Sequence, residues 1–205
     1  MISICPKCRS YKWNNIVEDN YIICPDCGKR WSFIKKPLYI ITGCSGAGKT
    51  TVAQTLQKLT TDYVVLDADI FYNIMPHENE EDYLNQIEQI YNISKNITQC
   101  QKSVIWTMTG NIDKLFKAYN ARFFDGINVL AIVCSDKELR KRMTEGRKIT
   151  DENWICDSSR YNSYLRTHNK IGDVFFQALD TDNKTPRETA ESIIAWINSK
   201  SGEML

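Results

Sequence analysis

The eight residues Gly43-Cys44-Ser45-Gly46-Ala47-Gly48-Lys49-Thr50 constrain this chain more than any other stretch. They match G-x4-G-K-[ST], and their flanks give the match its force. Leu38-Tyr39-Ile40-Ile41-Thr42, an apolar run suited to a strand buried in a parallel sheet, leads in, and Val52, Leu56 and Leu59 follow at helical spacing. Strand, glycine loop and helix together predict a nucleotide-phosphate cradle. Glycines let backbone N–H groups converge on phosphate oxygens without interference from Cβ atoms, and the helix N-terminus adds favourable partial charge. Lys49 is expected to bridge the β- and γ-phosphates and the Thr50 hydroxyl to ligate Mg²⁺. Gly43, Ser45, Gly46, Ala47, Gly48 and Thr51 complete the expected ATP cradle.

A second pattern stands before the first. Cys5-Pro6-Lys7-Cys8 and Cys24-Pro25-Asp26-Cys27 are separated by fifteen residues, giving C-x2-C-x15-C-x2-C. This spacing marks a four-thiolate zinc site, in which each pair loops its backbone around one metal. Four thiolates close a tetrahedron and leave no position for water, so the Zn²⁺ expected on Cys5, Cys8, Cys24 and Cys27 is structural. Gly28 follows where a tight turn often needs a positive φ, and Tyr21-Ile22-Ile23 reads as a short hairpin strand. The segment resembles a zinc ribbon. Tyr11, Trp13, Tyr21, Trp31 and Phe33 interleave with basic residues, a pattern that either stacks single-stranded nucleic acid or supplies the packing of a very small fold. Aromatics facing outward in one basic row would favour the first.

Charge separates the two parts mildly. Residues 1–37 hold seven bases (Lys7, Arg9, Lys12, Lys29, Arg30, Lys35, Lys36) and three acids (Glu18, Asp19, Asp26), a balance of +4 that falls to about +2 with zinc on four thiolates. The rest of the chain is net acidic, because the whole carries only +1. The molecule is therefore not a general electrostatic trap for nucleic acid. No apolar run approaches the roughly 18 residues of a membrane span, and Met1-Ile2-Ser3-Ile4-Cys5-Pro6 lacks the design of a secretory signal. Eight cysteines in a chain of this length fit reduced thiols better than disulfides, so the expected location is the cytoplasm.

The strand expected at Tyr63-Val64-Val65-Leu66 ends in Asp67-Ala68-Asp69. Carboxylates at the C-terminal end of such a strand face the ligand crevice. Asp69 is placed to accept the proton of an attacking hydroxyl and Asp67 to hold Mg²⁺, with the two roles open to exchange between them. The strand Ser103-Val104-Ile105-Trp106-Thr107-Met108-Thr109 has no acidic end, unlike the metal-binding strand of motor- and GTPase-type proteins.

With these motifs in place, residues 38–205 resemble the P-loop kinase superfamily of small phosphotransferases. That group includes gluconate, adenylylsulfate and nucleoside or nucleotide kinases, and the kinase domains of polynucleotide kinases. The resemblance implies that Asp69 lies beside the accepting hydroxyl. It also implies a lid in Ser135-Asp136-Lys137-Glu138-Leu139-Arg140-Lys141-Arg142-Met143 and Glu145-Gly146-Arg147-Lys148, whose Arg142 and Arg147 close over ATP. Guanidinium groups there meet the charge that spreads over the transferring phosphoryl group. The turn after Val174-Phe175-Phe176-Gln177-Ala178-Leu179-Asp180-Thr181 is implied to lie near the adenine, and Thr185-Pro186-Arg187-Glu188 opens the final helix.

The expected architecture is a three-layered α/β fold with a mainly parallel five-stranded sheet near 38–42, 63–67, 103–108, 128–134 and 173–179. The expected organisation is a zinc ribbon over 1–36 and a kinase domain over 37–205, with a lid near 140–160. A long helix capped by Asn79 carries Tyr83, Leu84, Ile87, Ile90, Tyr91 and Ile97 at helical spacing. Phe71, Tyr72 and His77 are candidates for an acceptor pocket, and Lys114, Lys117, Arg122, Arg160, Tyr161, Tyr164, Leu165 and Arg166 for contacts to an anionic acceptor. The expected function is γ-phosphoryl transfer from ATP·Mg²⁺ to a hydroxyl or phosphate of a nucleoside, nucleotide or similar small metabolite. Its rivals are a polynucleotide-end kinase that clamps nucleic acid with the ribbon, and a regulator that binds ATP without transferring phosphate.

Overall fold

Leu38–Thr42 is buried at every position and becomes the middle strand of the main sheet. The computed structural model describes residues 2–76 and 78–202, the side chains of Tyr72, Asn73 and Ser201 excepted. Three short strands come first, β1 (Ile16–Glu18), β2 (Tyr21–Ile23) and β3 (Arg30–Ser32), paired antiparallel in that order. Then follow β4 (Leu38–Thr42), α1 (Lys49–Leu59), β5 (Tyr63–Asp67), α2 (Ile70–Ile74), α3 (Glu80–Thr98) and β6 (Ser103–Met108). Two 3₁₀ turns, Ile112–Lys117 and Tyr119–Phe123, lead to β7 (Ile127–Val133) and α4 (Asp136–Lys141). A π turn over Arg142–Gly146 precedes α5 (Glu152–Thr167), the hairpin β8 (Lys170–Ile171) and β9 (Val174–Phe175), β10 (Gln177–Asp180) and α6 (Pro186–Gly202).

The main sheet has five strands in the order β10-β7-β4-β6-β5, every pair parallel. Alternate residues of each strand point to opposite faces. Leu38, Ile40, Val104, Trp106, Val129 and Ala131 enter one core, together with Tyr83, Ile87, Ile90 and Tyr91 of α3. Tyr39, Ile41, Ile105, Leu130 and Ile132 enter the other, together with Val52, Ala53 and Leu56 of α1 and Ala190, Ile193 and Ile197 of α6. Burial on both faces explains why these strands read as apolar runs rather than as alternating patterns. Trp106 is fully buried, and its indole N–H donates to Ser94 Oγ at 2.9 Å, so it costs no unpaired polar group.

Four strands lie where the sequence places them, within a residue or so. The fifth does not. Val174–Phe175 belongs to the β8–β9 hairpin, turned by Gly172 at φ +56°, and the sheet strand starts only at Gln177. Val174 and Phe176 of the apolar run pack into the α3-side core while Phe175 is exposed, and the edge strand itself is largely exposed. The Asn79 cap is as expected, its side chain accepting from Asp82 N at 3.0 Å. Thr185 and Glu188 form a reciprocal box before α6: Glu188 N donates to Thr185 Oγ1 at 3.2 Å, and Thr185 N donates to Glu188 Oε2 at 2.8 Å.

The N-terminal segment packs on the α3 side of the sheet. Ile2, Ile22 and Phe33 belong to the same core as β4, β6 and α3, with Val17 and Trp31 partly buried against it. Phe33 meets Phe123 edge to face at 5.7 Å between ring centroids. Arg122 donates to the carbonyls of Trp13 at 3.0 Å and Asn15 at 3.2 Å, its guanidinium lying over the Tyr119 ring. Packing therefore crosses the division at residues 36 and 37 without a break.

Candidate functional site

The β4 strand ends at Thr42, and the glycine loop turns it into α1 within six residues. Gly46 and Gly48 sit at φ +83° and +105°. A Cβ on Gly46 would lie 2.6 Å from Met143 Cγ, so this glycine also lets the π turn after α4 seat on the loop. The Lys49 ammonium donates to the carbonyls of Gly43 and Cys44, each at 2.9 Å. Burial pulls its pKa down, against the nearby carboxylates of Asp69 and Asp67. A cation so held is aimed by the loop's own backbone. Gly43 itself does not line the cavity: its carbonyl positions Lys49, and a Cβ there would meet the Ile132 carbonyl oxygen at 2.7 Å.

A cavity of about 1000 Å³ opens over this loop. Ser45, Gly46, Ala47, Gly48, Lys49, Thr50 and Thr51 form its floor. Asp69 and Thr109 close one side from the ends of β5 and β6. Burial pushes the Asp69 carboxyl up, and the Asp67 charge adds to this while Lys49 and Arg147 oppose it. Asp67 stands behind, its Oδ1 accepting from Asp69 N at 3.1 Å.

Both expected lid arginines reach the cavity. Arg142 donates through Nε to Glu138 Oε1 at 2.8 Å and through its Nη atoms to the Ala47 carbonyl at 3.2 Å, Thr181 Oγ1 at 3.1 Å and the Thr181 carbonyl at 3.3 Å. One guanidinium thus ties α4, the glycine loop and the turn after β10. Arg147 donates to Ser45 Oγ at 2.7 Å and stands 5.7 Å from the centroid of the Trp154 ring. Arg140 instead turns outward to Glu152 at 2.6 Å.

Thr181, Lys184, Pro186 and Thr189 complete the wall at the turn after β10. The cavity also takes in Glu138 and Trp154, which the sequence does not single out as site residues. Trp154 follows its N-cap Asp151 on the first turn of α5 and keeps 45% of its surface exposed. An exposed tryptophan just beyond a basic turn is the one signal by which it could have been found.

The acceptor candidates scatter. Phe71 is buried in the α3-side core and does not line the cavity. His77 and the Tyr72 side chain lie outside the described residues. Arg122 is taken up by the N-terminal segment, Arg160 pairs with Asp157 at 3.3 Å, and Arg166 approaches Asp180 at 3.9 Å. Leu165 is core, and Tyr164 donates to the Lys170 carbonyl at 2.7 Å.

The four N-terminal cysteines converge. Cys5 Sγ lies 3.6 Å from Cys27 Sγ and Cys8 Sγ 3.6 Å from Cys24 Sγ, and all four sulfurs fall within 4.8 Å of one another. Zn–S bonds of about 2.3 Å arranged tetrahedrally put sulfurs about 3.8 Å apart, so the cluster fits a zinc ion. Gly28 takes φ +66° at the second turn, as expected. The ribbon's aromatics do not form one outward row. Tyr11 and Trp13 are exposed and Tyr21 lies under Arg30, whereas Trp31 and Phe33 turn into the core.

Residues 40–165 match the model of a family described as AAA domain. No curated protein matches the sequence. Among solved structures, the tunicamycin resistance protein of Deinococcus radiodurans superposes with a TM-score of 0.59 at 15% identity, covering 80% of this chain and 96% of that one. A sugar kinase from Janibacter sp. HTCC2649 gives 0.58 at 16% identity, with 80% and 95% covered. A gluconokinase from Sinorhizobium meliloti 1021 gives 0.57 at 15%, with 84% and 96% covered. At such identities the likeness is one of fold, a five-stranded parallel sheet with a P-loop shared with these proteins.

Proposed function

We propose that this chain, which belongs to the AAA domain family, transfers the γ-phosphoryl group of ATP to a hydroxyl or phosphate of a nucleoside, nucleotide or similar small metabolite. The observation that carries this reading is that two guanidiniums and a carboxylate line one cavity over the glycine loop. Arg147 on Ser45 and Arg142 on Ala47 face the same cavity as Asp69. Lys49 neutralises the β- and γ-phosphates, and the two lid guanidiniums meet the charge on the transferring group. Asp69 takes the acceptor's proton as its oxygen closes on the γ-phosphorus. Thr50 and Asp67 are the groups that would hold Mg²⁺, which would supply further charge neutralisation at the phosphates. We assign the zinc ribbon to 1–36, the kinase domain to 37–205 and its lid to the region near 140–160. No described helix is long and apolar enough to cross a membrane, and with eight unpaired cysteines we place the chain in the cytoplasm.

The test is acceptor-stimulated ADP release by the full chain, with Lys49→Ala as its control. The substitution should lower turnover on the order of 10²-fold or more in a folded protein. Near-normal turnover would refute the assignment.

A second reading, a polynucleotide-end kinase, is favoured by one observation. Trp13 is 77% exposed and edges onto Tyr119 at 5.3 Å, extending the ribbon's aromatic surface onto the catalytic part. Single-strand binding there would weaken with log[salt] at a slope of about 0.7 per phosphate contact, and a flat response would dismiss it. A regulator that only senses ATP would need neither Asp69 nor the guanidinium lid.

A further inference from the structure

The cavity over the glycine loop is polar except at one place. Among the described residues that line it, Trp154 is the one aromatic side chain, and beside it only Ala47, Val52 and Pro186 carry apolar side chains. Local structure holds the indole there. Asp151 caps α5 and accepts from Asn153 N at 2.9 Å and from Trp154 N at 3.2 Å. Ile155 enters the α1-side core, and a helix turns about 100° per residue, so its neighbour Trp154 is left outside that core. A large ring kept half exposed in a polar, concave site is surface for a ligand to cover.

The cavity has two ends, and Trp154 belongs to one of them. β10 and β5 are opposite edges of the sheet, with β4 and its glycine loop in the middle. Thr181, Lys184 and Pro186 line the cavity past β10, and Asp69 lines it past β5. The two guanidiniums divide in the same way. Arg142 binds Thr181, at the β10 end. Arg147 binds Ser45, and its charge reaches Asp69. Trp154 goes with Arg147, whose guanidinium carbon lies 5.7 Å from the ring centroid. With the triphosphate laid on the loop and Lys49 between its β- and γ-phosphates, one end of the cavity takes the base of ATP and the other takes the acceptor. Asp69 marks the acceptor end, so the indole stands beside the acceptor.

We propose that the acceptor carries a nucleobase, and that Trp154 is the face on which this base stacks while a pentose hydroxyl meets the γ-phosphate at Asp69. The proposal rests on the kinase reading and narrows its acceptor to nucleosides and nucleotides. Every base has a π-face, so an indole platform fixes where the acceptor lies rather than which base it carries. Arg147 is near enough to the ring for a cation–π contact, which ties the platform to the guanidinium that meets the transferring group. A polyol or an open-chain hydroxy acid would leave the indole bare. In the reaction the pentose hydroxyl oxygen bonds the γ-phosphorus as the bond from that phosphorus to the β–γ bridging oxygen breaks. The electron pair of the broken bond leaves on ADP, and the hydroxyl proton passes to Asp69.

The experiment measures ADP release by the full chain with ATP·Mg²⁺. Adenosine, guanosine, cytidine, uridine and their monophosphates are the acceptors, with ribose, ribose 5-phosphate and gluconate as counterparts that lack a base. At least one base-bearing acceptor should exceed its base-free counterpart in kcat/KM by about tenfold or more. Trp154→Ala should raise KM for that acceptor about tenfold and KM for ATP less than about twofold, and Trp154→Phe should recover most of the loss. Melting temperatures of both variants close to that of the parent separate a lost contact from a lost fold. An acceptor KM unmoved in Trp154→Ala overturns the platform. A rise in KM for ATP that matches the rise for the acceptor also overturns it, giving the indole to the base of ATP. Turnover only with acceptors that lack a base overturns the acceptor class but leaves the kinase reading standing. If no acceptor of either kind lifts ADP release above the Lys49→Ala background, the kinase reading falls and this one with it.

Discussion

The side-chain amide of Gln99 pairs with both backbone groups of Ile34, its Oε1 accepting the N–H at 3.0 Å and its Nε2 donating to the carbonyl at 3.0 Å. A side chain at the end of α3 thereby does for Ile34 what a neighbouring strand would do, and pins the N-terminal segment where it joins the rest of the chain. Gln99→Ala leaves both backbone groups without this partner, which should cost about 1–3 kcal/mol. Gln99→Glu keeps the acceptor, loses the donor and should fall between. Chemical denaturation reads the loss, and hydrogen exchange at Ile34 should quicken. Unchanged protection there would show that the pair holds nothing.

Metal removal should reach further than the ribbon. The sequence suggests that a chain starting near Lys35 keeps its own core, but Ile22 and Phe33 fill the α3 side of the sheet. Stripping zinc, or replacing Cys5 and Cys8, should lower the melting temperature of the whole protein and expose apolar surface to a hydrophobic dye. Deleting residues 1–34 should do the same. An unchanged melting transition in the truncated chain would restore the independent-domain expectation.

Asp69 gives a pH signature. Its carboxyl must be ionised to take a proton, and burial with Asp67 nearby holds its pKa above the ordinary 3.8. Activity should fall as pH drops through that raised value. Asp67→Asn removes the like charge and should move the acid limb to lower pH. Stability has the opposite sign. The folded state binds this proton more tightly than the unfolded chain, so ionisation costs stability as pH rises above 3.8, fully once the raised pKa is passed. Asp69→Asn should therefore be inactive yet more stable than the parent at neutral pH, and less distinguishable from it in acid.

Arg147→Ala should lower kcat about 10²-fold while weakening ground-state ATP binding far less, because the charge it meets develops in the transition state. Arg142→Ala should lower both, since Arg142 also joins the glycine loop to Thr181. Equal effects of the two substitutions on binding and rate would erase this division of labour.

Gly46→Ala tests the seat of the lid. The new Cβ meets Met143 Cγ at 2.6 Å in a backbone at φ +83°, so loop and π turn cannot both stay in place. The cost should be about 1–3 kcal/mol of local strain, read as weaker nucleotide binding and slower turnover. Pairing it with Met143→Ala should recover part of the loss, and no recovery would mean that the strain is in the backbone alone.

What the sequence discloses here is what neighbours in sequence decide. The glycine loop, the doubled C-x2-C, the Asn79 cap and the Thr185–Glu188 box each span a few residues, and each appears where its spacing puts it. The edge strand starts later than its apolar run because Val174 and Phe176 are buried beside a hairpin, outside the sheet, while Phe175 of that hairpin is exposed. Trp154 joins the cavity through the folding of a distant turn, and a tryptophan beyond a basic turn is the only trace of that in the sequence. Arg122 reads as a ligand-binding base in sequence because nothing in its vicinity shows that its partners lie near residue 13.

The docking of the ribbon also has a consequence in time. Ile34 waits for Gln99, 65 residues later, and the Trp13 carbonyl for Arg122, 109 residues later. A chain made from its N-terminus thus presents Ile22 and Phe33 before the sheet face that covers them exists. Through that interval the first segment has its own partners complete, the four thiols together with the β1–β3 strands and the Lys12–Asp26 pair. Early metal capture would then act as a brace during synthesis, holding the first segment in shape until the rest of its core arrives.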